Sequence, residues 1–137
     1  MTDPTQEILT AFSTALSDNV SYNSKVWHVY DEEPPKGKRN YIYITNVDLV
    51  DASDQDHYIF NAIIDVLISV KKDKYARTIA ADLGDTIIPL ISEMALSMTS
   101  YDMNMKLHLV RTEMLDEIEE ETQYIKPIQV QFSTQEK

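Results

Sequence analysis

The stretch HYIFNAIIDVLISV, residues 57–70, constrains this chain more than any other. Every even position from Tyr58 to Val70 is apolar: Tyr58, Phe60, Ala62, Ile64, Val66, Ile68 and Val70. A repeat of two puts successive side chains on opposite faces, so these residues make one continuous apolar face of an extended strand. The odd face mixes Asn61, Asp65 and Ser69 with Ile59, Ile63 and Leu67. One fully apolar face beside one mixed face is the pattern of a sheet covered by helices on one side. The stretch is therefore expected to be the central strand.

Cover and partners come from the flanking segments. Ile8, Leu9, Phe12, Ala15 and Leu16 recur at helical spacing behind Asp3 and Pro4, a capping carboxylate and a first-turn proline. A helix ending near Asn19 is expected. KVWHVY (25–30) and NYIYITNVD (40–48) read as strands rich in aromatic and β-branched residues. Between them DEEPPKGKRN (31–40), with its two prolines, predicts a hairpin-like connection with an exposed, charged tip. LVDASDQD (49–56) reads as a loop. Tyr75, Ile79, Leu83, Ile87, Leu90, Ile91 and Met94 predict a helix over 73–96, with Asp73 as cap and a kink or break at Pro89.

Alternation returns at Met103, Met105, Leu107 and Leu109, and again at Ile128, Val130 and Phe132. These are two further strands, joined through EMLDEIEEET (113–122). The last five residues, STQEK, are expected to fray. The order α-β-β-β-α-β-β gives an α+β domain over 1–132, with a frayed tail at 133–137. Its largely antiparallel sheet of about five strands is backed by an N-terminal helix and a central, proline-interrupted helix.

Composition bounds the chemistry mainly by exclusion. The 137 residues include no cysteine, so disulfides, thiolate catalysis and cysteine-based zinc sites are ruled out. With two glycines no glycine-rich, phosphate-cradling loop is expected, and no apolar run reaches the length of a membrane-spanning helix. The opening MTDPTQEILT has neither the basic region nor the apolar core of a signal peptide, so cytoplasmic synthesis is expected. His28, His57 and His108 lie far apart, with no nucleophile elbow or H-E-x-x-H motif near them. No catalytic residue, cofactor or metal ligand is expected, and a carboxylate-dependent hydrolase finds no motif to support it. The acidic run Glu113, Asp116, Glu117, Glu119, Glu120 and Glu121 lacks the glycine turn of a calcium loop and reads as a solvated or docking loop.

A net charge of −11 repels phosphate backbones and keeps free copies apart. Basic residues gather in KGKR (36–39) and KKDK (71–74). With acids beside them, the loop is expected to be salt-bridged or to face a partner. The candidate interface residues are Asp31, Glu32, Glu33, Lys36, Lys38 and Arg39, together with Glu117, Glu119 and Glu120. Two function classes fit: a structural assembly protein, or an acidic DNA mimic that binds a host nucleic-acid enzyme.

The stretches VYDEEPPKGKRNYIYI (29–44) and IIDVLISVKKDKYARTIAADLGDTI (63–87), with the final alternating strands, resemble the tail-completion family of long-tailed bacteriophages. These are the tail terminator or tail-to-head joining proteins. The likeness is one of element pattern over nearly the whole chain. It implies a small α+β subunit of a ring, a hexamer on the head-proximal end of the tail tube, that stops tube growth and presents a surface to the head. Implied partners are further copies of the chain, the major tail tube protein and a head-completion or connector protein. DNA would pass through without specific binding, and no catalysis, cofactor or membrane is involved. The protein would sit in the virion after assembly in the host cytoplasm. The glutamate-rich run 113–121 is denser than the family pattern.

Overall fold

The computed structural model describes residues 4–91, 98, 100–111, 118–119 and 123–137. The elements in chain order are α1 (Thr5–Leu16), β1 (Ser21–Tyr22), β2 (Lys25–Val26), β3 (Val29–Tyr30), β4 (Tyr41–Asp51), β5 (Ile59–Lys71), α2 (Ala76–Leu90), β6 (Tyr101–Arg111), β7 (Ile118–Glu119) and β8 (Gln123–Glu136). The main sheet runs β3-β4-β5-β8-β6, with β7 also paired to β8, while β1 and β2 form a separate two-stranded piece. The fold is α+β, as the sequence pattern predicts. The sheet is mixed, because β3 lies parallel to β4 while the other pairs are antiparallel.

The 57–70 stretch supplies the central strand. Phe60, Ala62, Ile64, Val66, Ile68 and Val70 are all buried under the helices, and Ile63, Asp65 and Leu67 on the other face are half-buried. Fully burying an aliphatic side chain of this size contributes about 1.5–3 kcal/mol, so this row is a main source of stability. Tyr58 departs from the row: β5 begins at Ile59, beyond the helices' reach, and Tyr58 stands 53% exposed. From β4, Ile42 and Ile44 join the buried face; from β8, Tyr124, Ile128, Val130 and Phe132 do so. The β5–β8 ladder is unbroken from Ile59↔Gln135 to Lys71↔Gln123.

Ile8, Ala11, Phe12 and Leu16 form the buried stripe of α1, which ends at Leu16, slightly before the predicted Asn19. Asn19 closes the helix all the same: its Nδ2 donates to the Ala15 carbonyl at 3.0 Å. Asp3 lies outside the described residues. In α2, Ala76, Ala80, Leu83, Gly84 and Ile87 are buried. Asp73 does not cap the helix itself; its Oδ1 accepts from the Tyr75 N–H at 2.7 Å, in a turn that leads into it. Pro89 sits in the last turn of α2, where its missing N–H removes one helical hydrogen bond, and the helix closes one residue later. Residues 92–97, expected to continue it, lie outside the described residues.

Several expectations are corrected. KVWHVY is two short strands broken at Trp27, which is buried and turns its N–H to the Val20 carbonyl at 2.8 Å. The 31–40 connection is not a hairpin. Val29 and Tyr30 pair in parallel with Ile42 and Tyr43, so the loop carries the chain back over only two residues, a short enough return for ten residues to make. β4 continues through Asp51 into residues read as loop, because β5 offers a partner as far as Phe60. Ile118 and Glu119, expected within a solvated loop, pair with Ile125 and Tyr124. Residues 133–136 do not fray. They lie between β5 and β6, with Ser133 and Thr134 buried and the Thr134 hydroxyl donating to the Phe60 carbonyl at 3.3 Å.

Gly84 tests how closely α2 approaches the sheet. A Cβ there would lie 3.8 Å from Ile68 Cδ1 and 3.9 Å from Lys126 Cε, ordinary contact distances. Alanine removes backbone freedom from the unfolded chain, so Gly84→Ala is expected to stabilise the protein by about 0.5–1 kcal/mol. Thermal unfolding followed by circular dichroism checks this. A lowered midpoint would mean that the helix packs more tightly than these distances.

Candidate interface

Loop 31–40 is a held structure with free charges. Gly37 has φ +83, and the Lys38 N–H donates to the Pro35 carbonyl at 3.2 Å. A positive φ at the third position is what a type II turn requires, and only glycine takes it without strain. The turn thrusts Lys36 and Gly37 into solvent. The strand end then fixes the following backbone. Ser69 Oγ, fully buried, donates to the Arg39 carbonyl at 2.8 Å, and Asn40 Oδ1 accepts from the Lys71 N–H at 2.7 Å. From β8, Gln123 Nε2 donates to the Lys38 carbonyl at 3.2 Å.

On the loop these bonds are taken by main-chain carbonyls and the Asn40 side chain, and the side chains of Asp31, Glu32, Glu33, Lys36, Lys38 and Arg39 stay exposed. Among the described residues the ion pairs are His57 with Asp54 at 3.2 Å and Lys137 with Asp102 at 3.9 Å, and neither involves the loop. Of the two readings offered for this loop, facing a partner therefore has more support than internal salt-bridging.

Glu117 and Glu120 lie outside the described residues. Glu119 is placed by its backbone, opposite Tyr124 and so one residue from the Gln123 that holds Lys38. The fold thus brings the β7–β8 pair to the same end of the sheet as the basic loop. Among the described residues no group of histidines and carboxylates is spaced to hold a metal ion. His28 and His57 are exposed, and the side chain of His108 is not described.

Two features escaped the sequence reading. The first is an open groove of about 1110 Å³ between the β1–β2 piece, loop 37–40 and the start of α2. Lys25, Lys38, Arg39 and Lys71 line it, against one acid, Asp18. No local pattern marks it, since its walls come from four separated segments.

The second is the β4–β5 hairpin tip at the opposite end. Asp54 N–H donates to the His57 carbonyl at 3.1 Å, closing a four-residue turn. Ser53 N–H donates to Asp51 Oδ1 at 2.8 Å, and the Asp56 and His57 N–H groups donate to Asp54 Oδ1 at 2.9 and 2.8 Å. The Ser53 hydroxyl and N–H hold the Asp51 carboxyl below its ordinary value. The Asp56 N–H, then His57, do the same for Asp54 against the opposing pull of desolvation. Both stay ionised at neutral pH. The Asp-x-Ser and Asp-x-Asp-His spacings, signatures of side-chain-closed turns, were the available signal.

What the structure defines is an α+β fold with one helix-covered sheet face, an acidic tip and a basic groove. No family model and no curated protein matches the chain. Among solved structures, a chain from the virion of a native gene transfer agent particle shares the fold. Its TM-score is 0.55 at 17% identity, over 99% of this chain and 98% of that one.

Proposed function

We propose that this chain is a structural virion protein that caps the head-proximal end of a phage tail tube, as a ring, and presents the surface on which the tail joins the head. The observation that carries the reading is the end-to-end likeness to a chain of a gene transfer agent virion, 99% of this chain against 98% of that one. The held loop with unpaired charges supports it, since a preorganised element loses little entropy on docking. The resemblance of residues 29–44 and 63–87 to tail-completion proteins points the same way.

Electron microscopy of particles made without the protein tests the reading. Filled heads beside separate tails of irregular length are expected; intact particles would refute it. A finer test replaces Lys36, Lys38 and Arg39 together with Ser. All three side chains are exposed, so stability should shift by no more than about 0.5 kcal/mol per site. Joining of tails to heads should fall, and fall further at low salt, where the added self-repulsion is least screened. A folded variant with full joining activity would remove this loop from the interface.

A further inference from the structure

The acidic tip and the basic groove lie at opposite ends of β5. Asp51 is paired with Phe60 and Lys71 ends the strand, so the two surfaces are about 35 Å apart by strand rise. One molecule cannot bring them together, but two can.

Charge is not their only complementarity. Four large apolar side chains stand exposed among the described residues, and all four fall on or beside these surfaces. Val50 (64%) and Tyr58 (53%) flank the acidic tip. Val26 (54%) lines the groove, and Tyr75 (58%) lies at the same corner, four residues after Lys71, with the Lys74 ammonium 5.0 Å above its ring. Exposed apolar groups rimmed by charge mark protein contacts. A nucleic acid would use the lysines of the groove but not the valine, and it would meet a chain of net charge −11.

We infer that copies of this chain join head to tail, the Asp51–Asp56 tip of one copy seated in the basic groove of the next. A contact between two different patches is heterologous and closes into a ring when its rotation allows. The inference deepens the ring reading and rests on it. The absence of the protein from particles tests that reading separately, so it can stand while this contact falls.

The test uses the full chain at millimolar concentration, as an equal mixture of unlabelled and ¹⁵N-labelled protein, treated with a carbodiimide that joins a carboxylate to an amine with no spacer. The span along β5 prevents such a link within one molecule. Mixed-isotope peptides joining Asp51, Asp54 or Asp56 to Lys25, Lys38 or Lys71 are the expected result. Lys38→Glu with Lys71→Glu reverses the groove. Gln55→Lys with Asp56→Lys neutralises the tip while keeping the two carboxylates that close its turns. Each double variant alone should lose these links at least about tenfold, and mixing the two variants should restore them.

Circular dichroism verifies that both variants fold. Mixed-isotope links only at other sites, none at all, or a mixture that fails to recover would overturn the contact. So would a labelled DNA oligonucleotide that binds the native protein at physiological salt and is released by the groove variant.

Discussion

Deleting residues 133–137 is expected to destabilise the protein by at least about 4 kcal/mol, although the segment reads as a polar tail. Ser133 pairs with Asn61 on one side and Asn104 on the other, and Thr134 with Phe60 and Met103. Glu136 N–H donates to the Tyr58 carbonyl at 2.9 Å, and Lys137 N–H to the Ser100 carbonyl at 3.0 Å. Each intramolecular hydrogen bond contributes about 1 kcal/mol net, and a buried partner left unsatisfied costs about 1–3 kcal/mol. The cut removes bonds to strands on both sides and uncovers Phe60. Against a total stability of about 5–15 kcal/mol, such a loss leaves a marginal protein. Urea unfolding of the truncated chain measures it. A loss below about 1 kcal/mol would show that β8 ends, in effect, at Phe132.

Phe12→Ala is expected to cost about 3–5 kcal/mol, the range for emptying an aromatic site in a core. The ring is fully buried and stacks on Phe132 of β8, with centroids 6.0 Å apart and planes inclined at 26°. That contact helps bind α1 to the sheet, so the cavity would open where helix and sheet meet. For a domain of this size the melting temperature should fall by about 10–20 °C. Val50→Ala is the control: on an exposed site the change should stay within about 0.5 kcal/mol. Equal effects from the two substitutions would contradict the placement of α1 against the sheet.

The truncation and the core substitution fall on opposite sides of what could be read from the chain. Phe12 was legible because helical spacing with Ile8 and Leu16 is a local property of the sequence. Ser133 and Thr134 were not, because their burial depends on strands about thirty and seventy residues earlier. The candidate interface divides the same way. The charges of loop 31–40 and the glycine turn that displays them are local. The bonds from Ser69 and Gln123 that fix its backbone come from β5 and β8, and nothing near residues 36–40 announces them.

The amino-acid sequence by itself determined which segments are extended or helical and which face of each is apolar, since side-chain periods of two and 3.6 residues are written in neighbouring positions. It determined the central place of residues 59–71 through a run of apolar residues that must be covered. Strand order was decided only in the tertiary structure, where β8 enters between β5 and β6 and β3 turns parallel to β4. So was the separation of an acidic tip from a basic groove along one strand. The physical reason is that pairing partners and groove walls are chosen by contacts between distant segments, whose shared burial no local pattern encodes.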